Sequence, residues 1–152
     1  MRHLVILIAL GSACIATPLP HPPTLDPELV TLADEGDSRV RLEGASAAAA
    51  PAGLELRVTW TPGPSSVGLP ERYTTAVGDD GSFGVAMVGS RSDHYFIEAI
   101  TDDEDLFLAA VTGGPGRSVE VVDDVSDSDD DGSPDEIDCA PDDPTVGGRR
   151  CR

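Results

Sequence analysis

The sequence predicts an all-β chain organised around an antiparallel β-sandwich of seven or eight strands. Three observations carry that prediction. Apolar runs of strand length recur through the middle of the chain, either alternating with polar residues or continuous. Glycine, proline and aspartate clusters punctuate them roughly every dozen residues, the spacing of a sandwich with short turns. The one helix-prone piece, Ala45–Ala50, is bracketed by Gly44 and Pro51 too tightly to nucleate a stable helix.

Taken in order, the chain starts with a basic head, Met1-Arg2-His3, and an unbroken apolar run from Leu4 to Leu10 closed by Gly11-Ser12-Ala13-Cys14. A run that short cannot span a bilayer, which needs ~20 apolar residues. With a basic flank and a small-residue end it predicts a signal peptide over residues 1–13. Residues 14–27 hold five prolines and read as an extended, semi-rigid linker.

The sandwich is expected over residues 28–122, about 95 residues, enough for one small core. A weak strand begins at Leu29. The others are Val40–Glu43, Leu54–Trp60, Arg72–Val77, Ser82–Val88, Tyr95–Thr101, Leu106–Val111 and Val119–Val122. Leu54, Leu56, Val58 and Trp60 share one face of their strand, with Glu55, Arg57 and Thr59 on the other. Gly78-Asp79-Asp80-Gly81 supplies the turn before the Ser82–Val88 strand.

Beyond the sandwich, residues 123–152 form an Asp-rich segment. Asp123 to Asp143 holds eleven acids and no base. Within it, Asp127-Ser128-Asp129-Asp130-Asp131-Gly132-Ser133-Pro134-Asp135-Glu136-Ile137-Asp138 places acids at positions 1, 3, 5, 9 and 12 of a twelve-residue loop, with glycine at 6. That register wraps a hard cation in oxygens: Asp127, Asp129 and Asp131 by carboxylate, Ser133 by its backbone carbonyl, Asp135 often through water, and Asp138 closing the set. Calcium suits such ligands better than magnesium, because it accepts about seven oxygens in loose geometry. Position 12 is aspartate where the helix–loop–helix version of the loop has glutamate, so its shorter carboxylate predicts weaker closure. The competing account is a solvated acidic tail, the usual fate of a block of like charge.

Cysteine usage fits export. Cys14 is either lipidated or, if cleavage follows Ala16, discarded with the signal, which leaves Cys139 and Cys151 as an even pair in an oxidising compartment. A disulfide between them is the favoured reading; reduced or intermolecular thiols are the alternative. Arg149, Arg150 and Arg152 would then come back toward the acidic loop.

Several of these motifs resemble known families. Leu10-Gly11-Ser12-Ala13-Cys14 resembles a bacterial lipoprotein signal, although Gly11 stands where an apolar branched residue is usual. The resemblance implies diacylation of Cys14 and a membrane anchor; cleavage after Ala13 or Ala16 without lipidation is the competing outcome. Asp127 to Cys139 resembles the thrombospondin type 3 repeat and the Asp-rich repeats of bacterial secreted proteins, over about one unit. That resemblance implies a calcium-bound loop stapled by a disulfide, with ligand roles for Asp127, Asp129, Asp131, Asp135 and Asp138. The middle resembles bacterial Ig-like and carboxypeptidase-regulatory-like modules through Arg39-Val40-Arg41-Leu42-Glu43-Gly44, Leu54-Glu55-Leu56-Arg57-Val58 and Asp79-Asp80-Gly81-Ser82-Phe83. It implies an Ig-like sandwich and the spacer or adhesion roles of such modules.

Charge and composition close off other classes. A net charge of −18 without a single lysine argues against nucleic acid and against electrostatic attachment to anionic lipid. No cysteine nucleophile, nucleophile-elbow serine or second histidine accompanies His94, so a catalytic role for it is disfavoured. Asp102-Asp103-Glu104-Asp105 reads as a solvated turn, and Trp60 with Tyr73 as core rather than a sugar platform. The expectation is a non-enzymatic exported protein, structural or adhesive, anchored by lipid at a bacterial cell surface or outer membrane, or secreted if Cys14 is not acylated. A calcium-assisted module binding a cell-surface glycan or protein is the first alternative. An accessory domain of a secreted hydrolase system is the second.

Overall fold

The computed structural model describes residues 21–63, 68–102, 105–130, 133–138 and 140–144. The signal, Cys14, Asp131, Gly132, Cys139 and Cys151 lie outside them. The described chain is all-β, with ten strands in antiparallel sheets of two, three and five. In chain order they are β1 (Thr24–Leu25), β2 (Val30–Gly36), β3 (Arg39–Gly44), β4 (Ala49–Ala50), β5 (Glu55–Thr61), β6 (Glu71–Ala76), β7 (Phe83–Val88), β8 (His94–Ile100), β9 (Asp105–Gly113) and β10 (Val119–Val121).

One sheet has the order β2-β3-β7, the other β10-β9-β8-β5-β6. With β10 set aside, the first, second and fifth long strands form one sheet and the remaining four the other, all antiparallel, as in a β-sandwich. Each sheet supplies its alternate apolar residues to a shared core. From the smaller come Val30, Leu32, Val40, Leu42, Phe83, Val85 and Met87; from the larger, Leu56, Val58, Trp60, Tyr95, Ile97, Ala99 and Val111. Leu56, Val58, Tyr95 and Ile97 have no measurable exposure.

Three short elements lie outside the strands the sequence predicts. Thr24–Leu25 pairs with Ala49–Ala50, so the chain joins the fold within the proline-rich stretch, and Leu25 packs on the core. Pro27–Leu29 then makes a single 3-10 turn capped by the Asp26 carboxylate, which accepts from the Glu28 N–H at 3.1 Å. Turns follow their residues. Asp37 and Ser38 both sit at positive φ (53° and 56°) between β2 and β3, the two-residue hairpin geometry that matches strand twist. Gly81 (φ 84°) closes the β6–β7 turn where a Cβ would stand 2.8 Å from the Ala47 backbone.

The outer face of the larger sheet departs most from expectation. Arg57 and Thr59 lie on the face opposite Leu56, Val58 and Trp60, yet Thr59 is 1% and Glu98 5% exposed. Pairing sets Thr59, Phe96 and Ala110 in one row across β5, β8 and β9, and Arg57, Glu98 and Phe107 in the next. A bulge in β9 after Phe107 keeps both rows in phase with the core. The apolar row is covered by the chain that follows β10: Val122, Val125 and Ile137 pack against Phe96, Phe107 and Ala110.

Candidate functional site

The candidate site is the Asp-rich loop, and its foundations lie in the sheet beneath it. The Val122 N–H donates to the Ala110 carbonyl at 2.9 Å, extending the ladder one residue past β10. Val125 then turns onto the outer face, and the acidic run begins. It does not stand away from the sandwich as a brush. Ser133, Pro134 and Ile137 are buried. The Asp135 N–H donates to the Ser126 carbonyl at 2.9 Å, drawing the two ends of the loop together.

Exposure alternates over residues 127–130, and four of the acids at ligand positions are partly withdrawn from solvent. Asp127, Asp129, Asp135 and Asp138, at positions 1, 3, 9 and 12, are all half-buried, while Ser128, Asp130 and Glu136 are exposed. Asp127 Oδ1, Asp129 Oδ2 and Asp138 Oδ2 are withdrawn from solvent. Asp138 divides its oxygens: Oδ1 accepts from the Ala140 N–H at 3.1 Å, and the buried Oδ2 has no hydrogen-bond partner among the described residues. A desolvated carboxylate oxygen without a donor costs free energy that a cation would recover. Asp130 takes φ 58°, the left-handed conformation that aspartate tolerates better than most residues, and so bends the chain between positions 3 and 5.

Asp135 is used differently. Its two oxygens accept from the Ser128 N–H at 2.8 Å and the Ser128 hydroxyl at 2.7 Å, bracing the loop's entry. Position 9 commonly reaches a calcium ion through water, and this bracing accords with an indirect part. Among the described residues no three histidine, cysteine, aspartate or glutamate side chains gather closely enough to hold a metal; Asp131, at the centre of the register, is outside them. The donor chemistry, oxygens only with one orphaned buried carboxylate atom, fits a hard cation.

Elsewhere the candidates resolve into structure. Trp60 is 6% exposed, and its indole N–H donates to Asp93 Oδ2 at 2.9 Å. Asp93, itself fully buried, also accepts from the Ser90 N–H at 2.7 Å and the Gly63 N–H at 3.0 Å. The carboxylate beside His94 therefore organises two loops around the tryptophan. Tyr73 packs half-buried against the core and donates to Glu71.

The sequence reading missed an ion cluster on the outer face. Arg57 Nη1 lies 2.7 Å from Asp105 Oδ2 and 3.8 Å from Glu98 Oε1, and the Asp105 side chain is only 2% exposed. The Asp102–Asp105 stretch thus ends in an interior ion pair, not wholly in a solvated turn. Burial pushes the Glu98 carboxyl above its ordinary range; Arg57 opposes that and Asp105 adds to it. The signal was present in Tyr95-Phe96-Ile97, an unbroken apolar triplet, which marks a strand covered on both faces. Compared with known proteins, the chain matches no family model, no curated protein and no solved structure.

Proposed function

We propose that the protein is an exported, non-enzymatic surface module whose loop from Asp127 to Asp138 binds one calcium ion. The observation that carries the reading is the inward set of the acids: Asp127, Asp129, Asp135 and Asp138, at ligand positions, are half-buried, and the buried Asp138 Oδ2 has no hydrogen-bond partner among the described residues. In this reading Asp127, Asp129, Asp131 and Asp138 supply carboxylates, Ser133 its carbonyl, and Asp135 holds the loop's entry through Ser128. The ion supplies positive charge that turns mutual repulsion of the carboxylates into attraction. Ordering of the loop and binding are then one event.

The placement at a cell surface rests on the sequence: an export signal, Cys14 at the lipoprotein position, and the Cys139 and Cys151 pair. A structural or adhesive role follows from an Ig-like body on a short leader with a metal-stiffened end. The glycan-binding alternative loses its candidate platform, because Trp60 is spent on the core. No specific observation favours the hydrolase-accessory reading.

Calorimetric titration of calcium into the full mature chain tests this. The expected result is one site with Kd on the order of 10⁻⁴–10⁻³ M, the range of extracellular modules, given the short carboxylate at position 12. Asp131→Ala should abolish measurable heat, and magnesium should bind more weakly. Equal, weak, multi-site heats for both proteins and both ions would return the segment to a solvated acidic tail. Intact-mass analysis of membrane-extracted protein checks the anchor: a diacylated Cys14 N-terminus is expected, and an unmodified chain starting after Ala13 or Ala16 would contradict it.

A further inference from the structure

A buried apolar side chain, Ile137, lies inside the acid register, at position 11, between two proposed ligand positions. Ile137 is 6% exposed and sits with Phe96 and Ala110, each 1% exposed, on the outer face of the larger sheet. We propose that seating of Ile137 on this sheet face is energetically coupled to calcium binding, so that sandwich residues distant in sequence from the loop set its affinity. The proposal rests on the calcium reading above and adds what regulates that site.

Connectivity makes the coupling hard to avoid. Ile137 and Asp138 are adjacent, so their Cα atoms stand 3.8 Å apart across a trans peptide. Both N–H groups donate to the same acceptor, the Pro134 carbonyl, at 2.9 Å each. A single tight turn therefore fixes where the isoleucine points and where the closing carboxylate stands. Lifting Ile137 from the sheet would break that turn and carry Asp138 Oδ2 out of its buried position. Conversely, a cation held by Asp138 keeps the turn closed and Ile137 seated.

The sheet side of the seat is built on strands whose opposite face forms the main core. Phe96 lies between Tyr95 and Ile97, which are fully buried on the opposite face. Its ring meets Phe107 with centroids 6.5 Å apart. Val125, entering the loop, and Val122, continuing β10, complete the seat. The loop is thereby closed on an apolar surface that does not depend on the ion, and the ion gains a partly pre-shaped site. Linkage requires the effect to be mutual: whatever factor the seat adds to calcium affinity, calcium adds to the seat's closure.

The experiment uses the full mature chain, with calcium alone as the probe. Calcium affinity is measured by titration for wild type, Ile137→Ala and Phe107→Ala, with near-ultraviolet circular dichroism of Trp60 confirming that each variant keeps its core. Phe107 is half-buried and precedes the loop by twenty residues, so its truncation touches no ligand and spares the inner core. Both variants are expected to bind calcium about tenfold more weakly, within the usual ~5–150-fold range of coupled sites. Their rise in melting temperature on adding calcium should shrink in proportion. Should Ile137→Ala fail to fold, Phe107→Ala carries the test. If wild type binds calcium and a folded variant binds it equally well, the coupling is overturned while the calcium reading stands. If wild type itself binds none, the calcium reading fails first and takes the coupling with it.

Discussion

Single residues on this sandwich differ sharply in what their charges are worth. The Arg41–Glu35 pair, at 2.7 Å, lies on the surface with side chains 43% and 35% exposed, and screened pairs of that kind contribute little. Arg41→Ala should leave the melting curve where it is. The Arg57–Asp105 pair has the same separation but is interior. Removing the guanidinium leaves two buried carboxylates without their counter-ion, so Arg57→Ala should cost about 3–5 kcal/mol in denaturant unfolding. Two carboxyls give opposite pH signatures. Asp80 accepts from the Ser82 hydroxyl, the Ser46 hydroxyl and the Ser82 N–H, which hold it at about 2, below its ordinary 3.8. Its contribution is present above pH ~4 and lost as pH falls toward 2, so Asp80→Asn should flatten the melting temperature in that window. Glu98 is raised above 4.5 by burial. The folded state binds its proton more tightly than the unfolded chain does, so its contribution is complete below that value and lost as pH rises through the raised one. Wild type should therefore gain in melting temperature on acidification from neutral pH toward ~4.5 by more than Glu98→Gln does, measured by calorimetry.

At the scale of elements, the β2–β3 hairpin carries a removable strain. Asp37 and Ser38 both adopt left-handed φ, at roughly 1–2 kcal/mol each for residues with a Cβ. Replacing them by Asn-Gly suits the same turn, and after the ~0.5–1 kcal/mol entropy cost of glycine the variant should unfold about 0.5–1 kcal/mol later. The long strands were legible because the core demands alternation. Leu56, Val58 and Trp60 announce β5, and the Gly78–Gly81 turn announces β7. The β1–β4 pair was not legible, since two-residue strands carry no period and Thr24–Leu25 lies among prolines that suggest a detached spacer. Ala48 and Ala49 are buried under a segment that composition alone leaves undecided. The cover over the outer face at Arg57 and Thr59 was not legible, because it is neither a helix nor a third sheet. It is an acidic coil whose three useful side chains, Val122, Val125 and Ile137, are scattered among aspartates. The spacing of the acids is a local property read straight from the chain, and the structure describes Asp127, Asp129, Asp135 and Asp138 of it, with Asp131 outside the described residues.

For the whole molecule, the question is how a chain of net charge −18 keeps its most acidic segment folded against a sheet. Apolar seating by three aliphatic side chains works against the mutual repulsion of eleven acids between Asp123 and Asp143. A bound divalent ion would tip that balance, and because the segment covers Phe96 and Ala110, the gain would be felt by the sandwich as a unit. At tenfold excess over its Kd a ligand of the native state adds about 1.4 kcal/mol, which for a domain of this size corresponds to roughly 5 °C. The decisive measurement is thermal unfolding of the oxidised, signal-free protein in chelator and in millimolar calcium at constant ionic strength, followed through Trp60. A single cooperative transition that rises by about 5 °C with calcium, and does not rise in Asp131→Ala, is the result this account predicts. Superimposable curves for the wild-type protein with and without calcium would contradict it.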